Sequence, residues 1–76
     1  MNYKYIFSNG VEYIMRNNND NEAITAFIVA LLKSDNNIAF IGREFRNDGR
    51  HYINAYDNHK KLIIRVYLQA VYLIPF

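Results

Sequence analysis

The dipeptide Asn9-Gly10 stands between two short runs that favour β-strands, residues 3–8 and 11–16. Asn-Gly is the pair best suited to a two-residue type I′ turn, because both positions of that turn need a positive φ. The sequence therefore predicts a hairpin here, with both of its faces partly apolar. The two-residue loop pairs Lys4 with Met15, Ile6 with Tyr13, Ser8 with Val11, Tyr5 with Ile14, and Phe7 with Glu12.

A helix is predicted to follow the polar run of residues 17–21. Asn19 is a good N-cap, and Glu22 three residues later is its usual capping-box partner. Residues Asp35, Asn36 and Asn37 end the predicted helix. One apolar stripe at helical spacing is formed by Ile24, Phe27, Ile28 and Leu31, and most of the opposite side is also apolar, through Ala23, Ala26, Val29, Ala30 and Leu32. A helix that is apolar nearly all round is normally buried on more than one side.

The rest of the chain predicts three further strands. Residues 38–46 and 50–56 read as a second hairpin around Asn47-Asp48-Gly49. Residues 61–74 are ambiguous, since the same residues share a helix face or alternate as in a strand. Their β-branched and aromatic content favours a long or bent strand. The predicted order is ββαβββ, an α+β fold with one helix packed on a curved antiparallel sheet. A small, partly closed barrel is the alternative architecture.

The size of the chain predicts one domain over residues 1–76 that needs help to be stable. Only about 60% of the surface of an unfolded chain this short is buried on folding. The chain has no Cys, so disulfides are excluded, and a bound partner or a homo-oligomer is the remaining means of stabilisation. The absence of Cys, of a signal peptide and of a long apolar run predicts a soluble, cytoplasmic protein without a membrane partner.

Catalytic and metal-binding motifs are not recognisable. His51, Asp57 and His59 match no established ligand spacing. Glu44 and Asp48 lie among arginines and are better interpreted as partners in surface ion pairs. The sequence therefore predicts a non-enzyme with no catalytic residues, no cofactor and no metal.

Nucleic-acid binding is one functional hypothesis, because the basic charge is concentrated in the second half of the chain. Residues 1–38 carry three basic and four acidic side chains, and the remainder carries six and three. A two-residue Asp48-Gly49 turn places Phe45 opposite Tyr52 and Arg43 opposite Asn54, on one face of the hairpin. Such a face stacks bases while its arginines contact phosphates. The candidate residues for a nucleic acid or a partner are Arg43, Phe45, Arg46, Arg50, Tyr52, Tyr56, Lys60, Lys61 and Arg65.

Protein binding is the competing hypothesis. Seven Tyr and five Phe are more aromatic side chains than so small a core readily encloses, and Tyr and Arg dominate interface hot spots. The candidates for exposure at the surface are Tyr3, Tyr5, Tyr13, Tyr56, Tyr67 and Tyr72, and about half of them are expected to line the edge of the core instead. The residues expected at an oligomer or partner interface are Ala26, Val29, Ala30, Tyr67 and Tyr72.

The general character of the chain resembles that of small accessory proteins of phages and mobile elements in AT-rich bacteria. The resemblance depends on the short length, the Asn-rich linker of residues 17–21 and the opening hairpin of residues 3–10. It implies an inhibitor or modulator of a host protein or nucleoprotein complex, anti-CRISPR-like or otherwise anti-defence, that acts by stoichiometric protein contact in the host cytoplasm. The alternative is a small nucleic-acid-binding module that uses the second hairpin.

Overall fold

The computed structural model describes residues 1–75 and has the predicted ββαβββ order. The elements are β1 (Asn2–Phe7), β2 (Glu12–Met15), α1 (Asp20–Ser34), β3 (Phe40–Phe45), β4 (His51–Tyr56) and β5 (Leu62–Ile74). The five strands form one antiparallel sheet in the order β2-β1-β5-β4-β3. The predicted α+β class is confirmed, and the barrel alternative is wrong, since β2 and β3 remain separate edges.

Helix α1 begins and ends where the sequence predicts. The side chain of Asn19 accepts a hydrogen bond from the backbone N–H of Asn21 at 3.0 Å, and Asp35 is the C-cap. The predicted stripe packs on the sheet, with Ile24 and Phe27 buried and the Phe27 ring stacked on Phe7 at 4.4 Å. The core consists of Tyr5, Phe7, Ala23, Ile24, Phe27, Ile53 and Val66. The helix therefore covers one face of the sheet.

Strand β5 confirms the prediction of a long strand at the end of the chain, and it joins two hairpins that are offset along it. Its first half pairs with β4, from Leu62 to Tyr67. Its second half pairs with β1, from Leu68 to Ile74. The register shifts once in each half, which is typical of a strand that bends through β-bulges.

The predicted register of the first hairpin is wrong by one residue. Tyr5 pairs with Tyr13, whereas a two-residue loop would have placed Ile6 there. The backbone N–H of Phe7 donates to the carbonyl of Val11, which closes a three-residue loop in which only Gly10 has a positive φ. A slip of one residue moves every side chain of a strand to the other face of the sheet. Here it places the tyrosines of both strands on the side that α1 covers, against the core.

The second hairpin is displaced from its predicted register in the same way. Phe45 pairs with His51, and Tyr52 pairs with Glu44. The N–H of Arg46 donates to the carbonyl of Arg50 around a three-residue loop with Gly49 at φ +80°. The prediction that Arg43 and Phe45 share a face with Tyr52 is therefore wrong. Arg43 pairs with the buried Ile53, on the side of the sheet that faces α1.

A candidate binding face on the sheet

The face of the sheet that α1 leaves uncovered carries a cluster of arginines and tyrosines over β3, β4 and the first half of β5. The register places these side chains on one side of the sheet or in the adjoining β3–β4 loop. We call this cluster the Arg–Tyr face. Its members are Glu44, Arg46, Asp48, Arg50, Tyr52, Asn54, Arg65 and Tyr67.

Two guanidinium groups stack over two tyrosine rings in the Arg–Tyr face. The Cζ atom of Arg46 lies 4.5 Å from the ring centroid of Tyr52, and that of Arg50 lies 4.4 Å from the centroid of Tyr67. The two rings are cross-strand neighbours with centroids 5.4 Å apart. Tyr52 is only 8% exposed to solvent, although no helix covers it. Cation–π contact thus holds both arginines against the sheet.

Hydrogen bonds fix the same side chains in place. The hydroxyl of Tyr52 donates to Oδ2 of Asp48 at 2.7 Å, and Arg46 donates to Oε1 of Glu44 at 3.0 Å. The Tyr52 hydroxyl and the N–H of Arg50 hold the pKa of Asp48 below its usual range. The Arg46 guanidinium, followed by the Asn54 amide, does the same for the pKa of Glu44. Both carboxylates are therefore ionised at neutral pH.

Asn54 is the centre of the network. It is buried, and its amide nitrogen donates to Glu44 at 3.3 Å while its amide oxygen accepts from Nε of Arg65 at 2.8 Å. A buried amide with both ends bonded holds its neighbours in one arrangement, because any other arrangement leaves a polar group unpaired. The Arg–Tyr face is thus an ordered surface whose three arginines stand beside two carboxylates.

Arg43 and Phe45 lie away from this face. Nε of Arg43 donates to Nε2 of His51 at 3.1 Å, and Nη2 donates to Oδ1 of Asn21 at 2.7 Å. The ring of Phe45 is exposed and meets His51 edge-on at 5.7 Å. Burial, followed by the charge of Arg43, lowers the pKa of His51. The neutral imidazole is the form that accepts the Arg43 hydrogen bond.

The remaining predicted basic and aromatic residues are spread along the hairpins. Tyr56 is half-buried at the far end of β4. Lys60 and Lys61 are exposed in the β4–β5 loop, about 20 Å from the β3–β4 loop at the usual rise of a strand. Among the predicted residues, the structure brings together Arg46, Arg50, Tyr52 and Arg65. It does not bring together the whole predicted track.

The predicted interface residues lie on opposite sides of the molecule. Val29 and Ala30 are exposed on α1, and the carbonyl of the half-buried Ala26 accepts a hydrogen bond from Tyr13. Tyr67 belongs to the Arg–Tyr face, and Tyr72 lies further along β5 with 56% exposure. Tyr5, one of the candidates for exposure, is instead buried in the core.

Sequence reasoning missed the roles of Asp48, Asn54 and Tyr67 in the Arg–Tyr face. The acidic residues were predicted only as ion-pair partners of nearby arginines, and Asp48 in fact also accepts the Tyr52 hydroxyl. The sequence signal that could have revealed this face was the alternation of Tyr52, Asn54 and Tyr56 along β4, which places them on one face once the register is known.

The described residues show no metal-binding cluster and no membrane-spanning helix, and comparisons with known proteins assign no family. Residues 1–75 contain no cluster of three or more His, Cys, Asp or Glu side chains that could hold a metal ion. Within the same residues, no helix is long and apolar enough to cross a membrane, since α1 has only 15 residues. No family model, no curated protein and no solved structure matches this chain. Its function is therefore argued from its own surfaces.

Proposed function

We propose that this chain is a non-enzymatic binding protein that contacts a partner protein through the Arg–Tyr face and modulates that partner by stoichiometric occlusion. The observation that carries the proposal is the pair of guanidinium groups held over Tyr52 and Tyr67 on an uncovered sheet face. The inhibitor role is the part of the proposal that follows from the resemblance to small phage and mobile-element proteins.

The residue types, and the fixed positions in which they are held, support protein contact. Arg and Tyr are the side chains most enriched in interface hot spots. Side chains that are already fixed lose little conformational entropy when a partner arrives. The stacking of Arg46 and Arg50 and the hydrogen bonds of Asn54 supply that order before binding.

The charge of the face favours a protein over a nucleic acid. Arg46 is ion-paired with Glu44 at 3.0 Å, and Arg50 lies 3.9 Å from Asp48. A phosphate backbone would meet two carboxylates beside the three arginines. The ring faces of Tyr52 and Tyr67 that would stack on bases are already covered by guanidinium groups. A mixed-charge protein surface is complementary to this arrangement.

The first test compares wild type with the double variant Arg46→Ala/Arg50→Ala. The matched control is Arg16→Ala, which removes an exposed arginine near the end of β2, away from the Arg–Tyr face. Each tagged protein is mixed with a bacterial lysate, and captured proteins are quantified against the bait. We expect one or a few proteins at constant stoichiometry with wild type and the control, and a loss of at least about tenfold with the double variant. Far-UV circular dichroism verifies that each variant is folded.

The second test measures binding to short single- and double-stranded DNA and RNA by fluorescence anisotropy across a salt series. We expect no submicromolar binding. Submicromolar affinity that falls steeply with salt and disappears in Arg46→Ala/Arg50→Ala would overturn the protein-partner proposal in favour of a nucleic-acid-binding module. Equal capture of every protein by wild type and the double variant would also contradict the proposal.

A further inference from the structure

The second half of β5 has a strand neighbour on one side only. β1 pairs with it from Leu68 to Ile74, and β4 reaches no further than Tyr67. On the side of β4, residues 68–74 therefore present backbone N–H and C=O groups with no partner strand among residues 1–75. About half of a strand's backbone groups point to each side, so this edge is an open template for another strand.

This edge has little of the usual protection, and what it has lies at its two ends. Proteins guard exposed strand edges with charged side chains or with bulges and prolines inside the strand. Residues 66–75 contain no charged side chain, and the only proline is at the end of that segment. The one register shift against β1 lies at its start, between Leu68 and Ala70, so residues 70–74 run without a bulge. Val71 is 38% exposed, Tyr72 56% and Leu73 51%. The edge therefore combines unpaired backbone groups with exposed apolar side chains.

The other half of β5 provides a comparison within the same strand. Residues 62–66 also lack a neighbour on the side of β1. There, however, Lys60 and Lys61 precede the strand and Arg65 lies within it. Charge thus guards the first half and is absent from the second.

We propose that this chain forms a two-fold dimer in which residues 70–74 of β5 pair antiparallel with the same residues of a second copy. A neutral edge carries no charge that would select an oppositely charged peptide. Two copies of the edge bring Val71 and Leu73 onto one face of the junction and Ala70, Tyr72 and Ile74 onto the other.

The symmetry has two consequences that the structure makes testable. A two-fold axis that relates antiparallel strands of one sheet is perpendicular to the sheet, so one residue of β5 lies opposite its own copy. The same axis keeps each face of the sheet on its own side. Both Arg–Tyr faces of the dimer therefore point in the same direction, and both helices point in the other.

The experiment measures mass by light scattering from low micromolar to submillimolar concentration and then locates the interface with single cysteines. The natural chain has no Cys, so each substitution is the only reactive thiol. The scan covers Ala70→Cys, Val71→Cys, Tyr72→Cys and Leu73→Cys. Ile14→Cys is the control on the edge strand β2, where the side chain is 59% exposed. Val29→Cys tests the exposed side of α1.

We expect a dimer in the micromolar range and efficient crosslinking at one position of the β5 scan, since facing residues in paired strands have Cβ atoms about 5 Å apart. We also expect Val71→Lys to weaken the dimer about tenfold or more, because each copy then places a charge at an apolar junction. Ile14→Lys leaves the dimer unchanged. Circular dichroism verifies that both variants are folded.

Three outcomes would overturn the dimer. The first is a monomer at every concentration, and the second is a dimer that crosslinks through Val29→Cys and not through β5. The third is a ladder of larger species, which indicates head-to-tail pairing without closure. None of these outcomes bears on partner capture by the Arg–Tyr face, which is tested separately by the arginine variants.

Discussion

Replacing Lys60 with glycine should stabilise the protein. The β1–β2, β3–β4 and β4–β5 loops share one design, in which three residues connect the strands and the third has a positive φ. Gly10 occupies that position in the first loop at φ +91° and Gly49 in the second at +80°. The third loop has Lys60 there, at φ +63°. Lys60 is the only non-glycine residue with a positive φ among residues 1–75.

The expected magnitude follows from two opposing effects. A left-handed conformation costs a residue with a Cβ atom about 1–2 kcal/mol, and glycine avoids this cost. Glycine also makes the unfolded chain more flexible, which costs about 0.5–1 kcal/mol. The net gain in the free energy of unfolding is therefore about 0.5–1 kcal/mol. For a domain of this size, that gain raises the melting temperature by about 2–8 °C.

The loop around Lys60 is otherwise well held, so the substitution changes little else. The carboxylate of Asp57 accepts hydrogen bonds from the N–H groups of His59 and Lys61, both at 2.9 Å. The backbone N–H of Lys60 donates to the carbonyl of Asp57 at 3.0 Å. Glycine retains all these backbone groups.

The assay is thermal unfolding followed by circular dichroism, with Lys60→Ala as the matched control. Alanine removes the same charge and the same side-chain stem but keeps the Cβ atom, so it should leave the melting temperature nearly unchanged. Gly49→Ala is the reverse experiment and should lower the free energy of unfolding by about 0.5–1 kcal/mol. The reasoning is refuted if Lys60→Gly and Lys60→Ala have the same melting temperature.

Three further predictions concern the core, the helix cap and pH. Phe27→Ala removes a buried ring that stacks on Phe7 and should lower the free energy of unfolding in urea by about 3–5 kcal/mol; a loss below 1 kcal/mol on that scale would show that the ring is not part of the core. Asn19→Ala loses the cap bond to Asn21 and should cost about 1 kcal/mol, whereas Asn36→Ala, in an exposed loop, should cost nothing measurable. Burial and the charge of Arg43 lower the pKa of His51 in the folded chain. As the pH falls, the His51 imidazole therefore binds a proton in the unfolded chain before it does so in the folded chain. Stability should therefore fall as pH drops from about 6.5 towards the lowered value, and an unchanged slope in His51→Gln would contradict this assignment.

Local sequence signals were sufficient for the elements themselves. Asn19 and the polar residues after Ser34 bound the helix, because capping depends on groups within a few residues of each other. The β-branched and aromatic content of residues 61–74 indicated a strand, and β5 is one. The arginines in and around the β3–β4 loop were also recognised as candidates for binding.

The register of the two hairpins was not determined locally. Asn-Gly and Asp-Gly suit a two-residue loop with two positive φ values, and they equally suit a three-residue loop that ends in a left-handed glycine. The two loops differ by one residue, and that residue decides which face every side chain occupies. The structure takes the three-residue loop in both hairpins. In the first hairpin this choice places Tyr5 and Tyr13 together on the face that α1 covers.

The sequence by itself determined the order and type of the elements, because those depend on contacts between near neighbours along the chain. Only the tertiary structure decided which side chains share a face. Burial against α1 selects the registers, and the pairing of β1 with β5 joins the two ends of the chain. The Arg–Tyr face depends on that selection, because Tyr52 and Tyr67 become neighbours only after β4 and β5 have paired. The half-open edge of β5 has the same origin, since it exists only because two offset hairpins share one long strand.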